Sequence, residues 1–207
     1  MPMYAILIVR LGEGPAPVRE DLQAYARVSA DDDLDPAMAL HPGGLAIPVP
    51  TGGRDVARLS VRLAVHEAEA GLADGSTRIL ALVETAAAML ALPGLVGASQ
   101  RLCGIAWDAD ALARDIGAPA SRDGDGALIA PLALARSQVL LAAAAAGVAA
   151  VDTACAVEGA FLREVEEGRR DGFVGKIVGG GLVETETITS LRRPGTRSPP
   201  PCGEGPG

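Results

Sequence analysis

The sequence predicts an α/β fold with a parallel sheet, built either as an open doubly wound sheet or as part of an eight-stranded barrel. Short apolar runs of strand length alternate along the chain with longer segments that have helical periodicity. Strand, helix and strand in repeated order form right-handed βαβ units, whose strands lie parallel in one sheet. No G-x-G-x-x-G motif follows a strand, so nothing in the sequence supports a dinucleotide-binding fold.

Six apolar runs are short enough to be strands, and they span residues 5–10, 45–49, 79–83, 102–107, 148–152 and 175–178. Three longer segments between them are predicted helices. Residues 55–73 carry apolar side chains at spacings of three, four and seven, with Asp55 as the predicted N-cap. Residues 132–146 are rich in Ala and Leu and end at Gly147, which suits the position after a helix. Residues 157–171 form the third helix.

Composition argues against several classes of protein. The chain has 207 residues, of which 49% are hydrophobic, enough for one domain with a sizeable core. A net charge of −8 argues against a nucleic-acid partner, and no uncharged apolar run is long enough to predict a membrane-spanning helix. The three cysteines show no C-x-x-C spacing, which argues against a zinc site and a disulfide framework. We therefore expect a soluble cytoplasmic protein.

Carboxylates follow two of the predicted strands. Glu84 comes directly after the strand at residues 79–83, and Asp108 and Asp110 follow the strand at residues 102–107. Acidic residues at the ends of strands are how a β/α barrel builds a metal site. The alternative is that Glu84 is stabilised by a helix dipole and that both aspartates cap a helix in solvent. Residues 119–126 are interpreted as a flap on this face.

Five phrases resemble the HpcH/HpaI aldolase and citrate lyase β-subunit family, on its CoA-ester lyase side. They are VETA at residues 83–86, the pattern G-x-x-W/F-x-x-(D/E)-x-L at 104–112, ARSQVLLAAAAAG at 135–147, AVD at 150–152 and DGFVGK at 171–176. Their order and spacing are those of the family from about residue 9 to residue 176.

The resemblance implies a TIM-type (β/α)8 barrel that is usually trimeric or hexameric, so a homo-oligomer, with a trimer as the first expectation. Aligned in this way, the chain starts at the family's third strand. Its six predicted strands would form an incomplete barrel that lacks the first two strands and the C-terminal helix. We expect this partial barrel to occupy residues 1–190 and the Pro/Gly-rich residues 191–207 to be a disordered tail. Alternatively, the two missing strands are encoded upstream of the present start.

The resemblance also implies a Mg²⁺-dependent carbon–carbon lyase that acts on a CoA thioester, such as citryl-CoA or malyl-CoA, or on an oxoacid. In such enzymes a divalent cation bound by the oxygens of the substrate lowers the energy of an enolate. Glu84 matches the first metal ligand of the family and is a predicted catalytic residue. The second ligand falls on Ala111, whose methyl group cannot bind a cation, so Asp110 or Asp108 would have to replace it.

Arginines are the predicted substrate-binding residues. Arg10 ends the first predicted strand and matches the family's arginine that binds a substrate oxygen, although the Asn usually found two residues later is Gly12. Val49 replaces a lysine thought to face the CoA phosphates, and Arg54 is a partial substitute for it. A charged residue at the end of a strand is otherwise often just its exit into solvent, so both interpretations of Arg10 stay open.

A second hypothesis is that the chain is a degenerate, non-catalytic member that acts as an assembly or binding subunit. Ala111, Val49 and Gly12 depart from the family pattern, and the His-Pro expected after residue 178 is absent. An open barrel would also expose two strand edges, which a partner would have to cover.

Overall fold

The computed structural model describes residues 4–10, 22–29, 34–39, 43–154 and 161–178. Within these residues, seven strands lie parallel to one another in the order of the sequence and close into a barrel. The strands are β1 (Tyr4–Arg10), β2 (Leu22–Arg27), β3 (Gly44–Pro48), β4 (Ile79–Val83), β5 (Leu102–Trp107), β6 (Ala149–Asp152) and β7 (Gly175–Val178).

Helices of the described part of the chain connect the strands and cover the barrel. They are α1 (Asp35–Met38), α2 (Gly53–Glu69), α3 (Ala86–Leu90), α4 (Ala109–Asp115), α5 (Ala130–Ala146) and α6 (Phe161–Asp171), with a 3₁₀ turn at Leu92–Leu95. No helix in the described ranges is both long and apolar enough to cross a membrane.

The parallel α/β barrel is confirmed, but the prediction that it has two exposed strand edges is wrong. All six predicted strands form, each within one residue of its predicted bounds. The additional strand β2 pairs with β1 on one side and with β3 on the other. On its other edge β1 pairs with β7, so both edges expected to be exposed are hydrogen-bonded. The absence of the family's first two strands stays a prediction, and residues 191–207 lie outside the described ranges.

Two apolar layers form the core, as the alternation of side chains along a strand requires. The layer between barrel and helices is the larger one and includes Trp107. The layer inside the barrel is built from one or two buried residues of each of the strands β1 to β6, with the partly buried Ile177 of β7 packed against them: Ile6, Tyr25, Ala46, Leu80, Leu82, Cys103, Ala106 and Val151. Its only large ring belongs to Tyr25, which fits because Gly44 leaves room for it. A Cβ at Gly44 would lie 2.9 Å from the Tyr25 ring.

The start of α2 differs from the prediction. This helix begins at Gly53, and its N-cap is Gly52, three residues before the predicted cap Asp55. Gly52 has φ 70° and is packed against the backbone after α3, where a Cβ would lie 2.5 Å from the carbonyl oxygen of Ala91. Asp55 lies in the first turn and accepts hydrogen bonds from the N–H (2.7 Å) and Oγ1 (2.8 Å) of Thr51. The predicted end of α5 is confirmed, with left-handed Gly147 after it.

Candidate active site at the carboxyl end of the barrel

Three charged side chains continue the inward-facing rows of β2, β4 and β5. Each lies two residues beyond a member of the interior cluster, at the carboxyl end of its strand: Arg27, Glu84 and Asp108. Glu84 and Asp108 are neighbours, because β4 and β5 are paired up to their last residues and the N–H of Asp108 donates to the carbonyl of Val83 at 3.0 Å. The carboxyl end of such a barrel is where catalytic residues of this fold collect.

Arg27 and Glu84 form a two-fold ion pair. Nη1 of Arg27 donates to Oε1 of Glu84, and Nη2 donates to Oε2 at 2.8 Å. The side chains of Arg27 and Glu84 are 27% and 17% exposed, so the pair lies at the edge of solvent. The pKa of Arg27 is raised by its hydrogen bonds to Glu84 and by the charges of Glu84 and Asp108, which together outweigh the effect of burial. Arg27 is therefore charged at neutral pH.

The two candidate replacement ligands have different surroundings. Asp108 is the N-cap of α4, and its Oδ1 accepts from the N–H of Ala111 at 2.9 Å. Asp110 lies in the first turn of the same helix, is exposed, and accepts a hydrogen bond from Oγ of Ser121 at 2.5 Å. The structure thus brings Asp108 to Glu84 and turns Asp110 towards residues 119–126. Ala111 contributes only a methyl group.

Within the described residues no three His, Cys, Asp or Glu side chains converge in a way that could hold a metal ion. Glu84 and Asp108 nevertheless form a pair of carboxylates on adjacent strand ends. Mg²⁺ is often held by one or two carboxylates and completes its shell with water and substrate oxygens. This donor set therefore fits a magnesium ion that is shared with a substrate, and it does not form a cage that would bind the ion alone.

The predicted substrate arginines lie at the same end of the barrel. Arg10 ends β1 and is paired in register with Arg27, but its side chain lies outside what the structure describes. Arg54 is exposed in the first turn of α2. The arginine that reaches Glu84 is Arg27, which sequence reasoning missed. One signal for it existed, since the family pattern has Asn two residues after its arginine and the polar Ser29 follows Arg27 at that spacing.

The predicted flap is a short, well-connected loop. Residues 119–126 contain no helix, and an isolated antiparallel bridge joins Arg122 to Leu128. Asp123 closes the turn by accepting the N–H groups of Asp125 and Ala127, each at 3.0 Å. Arg122 also binds Oε1 of Glu164 in α6 at 2.9 Å. The flap is thus tied to α4 on one side, through Ser121 and Asp110, and to α6 on the other.

The family phrases AVD and DGFVGK build a buried ionic network behind the flap. Asp152 accepts from the indole N–H of Trp107 at 3.0 Å and from Nη2 of Arg136 at 3.0 Å. Arg136 also donates to Asp171 at 2.6 Å. Burial is the largest single effect and would lower the pKa of Arg136, but the hydrogen bonds and charges of Asp152 and Asp171 together outweigh it and raise this pKa. Lys176 is fully buried, and its Nζ donates to Oε2 of Glu164 at 2.9 Å.

This network connects β5, β6, β7, α5 and α6. A cavity of about 390 Å³ lies between it and the flap and is lined in part by Arg122, Arg136, Asp152, Thr153 and Glu164. Because the charges of the network pair with one another, it serves mainly to hold these elements in place beside the strand ends.

Solved structures of bacterial proteins share this fold. CitE from Mycobacterium tuberculosis, in complex with magnesium and acetate, superimposes with a TM-score of 0.67 at 20% identity, covering 92% of this chain and 90% of that one. The same protein with magnesium, acetoacetate and coenzyme A gives a TM-score of 0.68 at 19% identity, covering 92% and 79%. RipC from Yersinia pestis gives 0.61 at 19% identity, covering 91% and 93%.

The sequence relatives include citrate lyase beta subunits. The citrate lyase subunit beta of Escherichia coli K12 is 29% identical over 169 residues, which cover 77% of this chain and 54% of the relative. The corresponding subunit of Haemophilus influenzae is 28% identical over 169 residues, covering 77% and 56%. The chain spans about half the length of these curated relatives.

The family assignment rests on the span of the match. The sequence model of HpcH/HpaI aldolase/citrate lyase matches residues 22–179, from the first residue of β2 to just after β7. The match includes Arg27, Glu84 and Asp108 and begins after Arg10. It covers well over half of the 207 residues and contains every strand but β1. The chain belongs to the HpcH/HpaI aldolase/citrate lyase family.

Proposed function

We propose that this protein is a Mg²⁺-dependent carbon–carbon lyase that acts on a CoA thioester such as citryl-CoA or malyl-CoA. The observation that carries the proposal is the group formed by Arg27, Glu84 and Asp108 at the carboxyl end of the barrel. An anion-binding arginine beside two carboxylates is what a reaction through an enolate needs. Family membership supports the reaction class.

The ligands of structural neighbours support the choice of cofactor and substrate. CitE from Mycobacterium tuberculosis has been crystallised with magnesium, acetoacetate and coenzyme A. The citrate lyase beta subunit of the same organism has been crystallised with oxaloacetate and magnesium. We propose that this chain likewise binds magnesium, an oxoacid and the coenzyme A group of its substrate.

Each residue of the group has a proposed role. Glu84 and Asp108 hold Mg²⁺, which when bound supplies the positive charge that lowers the energy of an enolate. Arg27 donates two parallel N–H groups to a carboxylate or carbonyl oxygen of the substrate and so fixes its orientation. In this assignment Arg27 takes the role predicted for Arg10, and β2 corresponds to the third strand of the family. Asp110 holds the flap.

An assay of metal-dependent cleavage tests the proposal. The full chain is incubated with citryl-CoA or malyl-CoA in Mg²⁺ or in EDTA, and release of the CoA-ester product is followed. We expect activity only with Mg²⁺ and a loss of about 100-fold or more in Glu84→Gln. Glu69→Gln, the same change at an exposed position of α2, should keep wild-type activity. Equal trace activity in wild type and Glu84→Gln would disprove the proposal.

The alternative function is that of a non-catalytic assembly or binding subunit. It is motivated by Ala111 at the position of the family's second ligand. Val49, Gly12 and the absent His-Pro also motivate it. The open strand edges no longer do, because the barrel formed by the described residues is closed and β1 pairs with β7. Calorimetry with Mg²⁺ distinguishes the two functions. Micromolar-to-millimolar binding that disappears in Glu84→Gln favours the lyase, and no binding even with a substrate-like carboxylate favours the alternative.

The assembly proposed rests on the family and the location on the composition of the sequence, and both form part of the same proposal. We propose a cytoplasmic homo-oligomer, with a trimer as the first expectation. Light scattering coupled to size-exclusion chromatography gives the number of subunits, and a monomer would contradict this part without affecting the proposed chemistry.

A further inference from the structure

We infer that Arg27 acts as a guard on Glu84, so that a carboxylate ligand has to bind Arg27 before Glu84 becomes a good ligand for a divalent cation. The cation and the carboxylate should therefore bind cooperatively. This inference rests on the proposed function, because it concerns the same metal and the same barrel end.

The first argument is that the cation and Arg27 compete for the same atoms. Arg27 engages Oε1 and Oε2 of Glu84 through separate N–H groups. Two parallel hydrogen bonds between a guanidinium and a carboxylate are among the strongest side-chain contacts in proteins. A cation that binds Glu84 has to displace at least one of them. It also meets the positive charge of Arg27, since Arg27 remains protonated at every accessible pH.

The second argument is that a carboxylate ligand relieves this competition. An incoming carboxylate presents to Arg27 the same two oxygens that Glu84 presents, so it can replace Glu84 in the fork without leaving a donor unpaired. It also neutralises the guanidinium, which lowers the repulsion felt by the cation. Arg27 is accessible to such a ligand, because 27% of its side chain is exposed.

The third argument is that few other protein groups near Glu84 are available as metal ligands. One oxygen of Asp108 caps α4 through the N–H of Ala111, and Asp110 is engaged by Ser121. The position that the family uses for a second ligand holds Ala111. With few protein ligands available, the release of Glu84 decides whether a cation binds at all.

This mechanism specifies a class of ligand. The ligand needs a carboxylate for Arg27 and a second oxygen on the neighbouring carbon that can reach the cation. A 2-oxocarboxylate has both the carboxylate and the second oxygen, whereas acetate has only the carboxylate. Pyruvate is a suitable probe because it is small and has no other charged group.

Isothermal titration calorimetry with the full chain tests the inference. Mg²⁺ is titrated into wild-type protein with and without saturating pyruvate. We expect pyruvate to lower the Kd for Mg²⁺ by a factor in the range of about 5 to 150, the usual size of such coupling. By linkage, saturating Mg²⁺ should lower the Kd for pyruvate by the same factor. Equal Mg²⁺ affinity with and without pyruvate would overturn the inference.

Variants separate the guard from direct contact between pyruvate and the metal. Arg27→Gln removes the ion pair with Glu84, so Mg²⁺ alone should bind to this variant several-fold tighter than to wild type. If pyruvate acted only through direct contact with the metal, Arg27→Gln would show no such gain. An affinity for Mg²⁺ equal to that of wild type would therefore overturn the inference. Arg27→Lys, which can hold only one oxygen of Glu84, should show a smaller gain and serves if the Gln variant does not fold. Arg114→Gln, an exposed position on α4, should behave as wild type.

Failure of the guard can be told apart from failure of the proposed function. Binding of Mg²⁺ that requires Glu84 but is independent of pyruvate and Arg27 keeps the metal site and removes the guard. If Mg²⁺ does not bind to wild type, to Arg27→Gln or to Arg27→Lys under either condition, the metal site itself fails, and the guard fails with it.

Discussion

The two ends of the barrel each carry an Arg–Glu ion pair, and the pairs differ in how many donors surround the carboxylate. At the amino end, Glu67 of α2 is fully buried and Arg101, just before β5, is 5% exposed. Glu67 accepts from Nη1 of Arg101 at 2.9 Å and from the N–H groups of Thr77 (2.7 Å) and Gly75 (2.8 Å). At the carboxyl end, Glu84 accepts only from Arg27 within the described residues and lies at the edge of solvent.

The number of donors around each glutamate distinguishes an ion pair that stabilises the fold from one whose glutamate can exchange its arginine for another partner. Burial by itself would raise the pKa of Glu67, but the hydrogen bonds from Arg101, Thr77 and Gly75 lower it to about 2. No oxygen of Glu67 is left for another ligand. Glu84 would lose a single partner on exchange, and an incoming ligand can satisfy that partner. In barrels of this type the amino end serves stability and the carboxyl end serves chemistry.

The largest expected effect is on stability at the amino end. Arg101→Met leaves the buried Glu67 without its charged partner, and we expect a loss of about 3–5 kcal/mol in the free energy of unfolding. The matched change at the other end, Arg27→Met, should cost about 1 kcal/mol, because the freed carboxylate of Glu84 reaches solvent. Urea unfolding followed by circular dichroism measures both.

The control for this pair is Asp74, which also binds Arg101 but is 87% exposed. Asp74→Asn should change the free energy of unfolding by well under about 1 kcal/mol. If Arg101→Met cost no more than Arg27→Met, the proposed division between the two ends would be wrong.

A second effect, of the order of 3 kcal/mol, should depend on pH. The pKa of Glu67 is about 2 in the folded protein against 4.5 for the free group. The folded protein therefore binds the proton less well than the unfolded chain, so the contribution of Glu67 is complete above about pH 4.5 and is lost as the pH falls towards 2. Glu67→Gln lacks this contribution.

The difference in unfolding free energy between wild type and Glu67→Gln should thus shrink between pH 6 and pH 3, in urea titrations at a series of pH values. Glu69→Gln, an exposed neighbour, should show no such change. A constant difference between wild type and Glu67→Gln across this range would contradict the assignment.

The sequence was sufficient for most strands because their hydrophobic signal is local. β4 and β5 are runs of entirely buried residues, and a strand covered on both faces is apolar throughout. β2 was not predicted, because its sequence, LQAYAR, mixes polar and apolar residues and ends in Arg27. Its place between β1 and β3 depends on pairing with distant parts of the chain, which local periodicity does not report. Without β2, the sequence predicts an open barrel where the structure has a closed one.

The site was predictable in part for the same reason. Glu84 and Asp108 stand out because each directly follows a buried strand. The choice between Asp108 and Asp110 depends on where α4 begins, and a sequence fixes helix ends poorly. Since α4 begins at Ala109, Asp108 becomes its cap beside the barrel axis and Asp110 turns towards the flap. The contact of Arg27 with Glu84 joins positions 57 residues apart, so local periodicity does not report it.

A third, smaller effect tests whether Asp108 or Asp110 is the second metal ligand at the carboxyl end. If Asp108 is the second metal ligand, Asp108→Asn should weaken Mg²⁺ binding in saturating pyruvate by about tenfold or more. The substitution keeps the helix cap, since Asn caps as well as Asp. Asp110→Asn should leave the affinity within about twofold, because Asp110 contacts the flap instead. Calorimetry on both variants decides, and the reverse order would make Asp110 the ligand.

The smallest effect concerns the flap. Ser121→Ala removes the hydroxyl that donates to Asp110, whereas the exposed carboxylate is simply rehydrated. We expect a change below about 1 kcal/mol in the free energy of unfolding, with several-fold faster amide hydrogen exchange confined to residues 121–128. Ser137→Ala, an exposed position on α5 that binds only its own helix backbone, serves as the matched control. Faster exchange that spreads into β5 or α5 would mean that Ser121 supports the core of the barrel and that Asp110 does more than hold the flap.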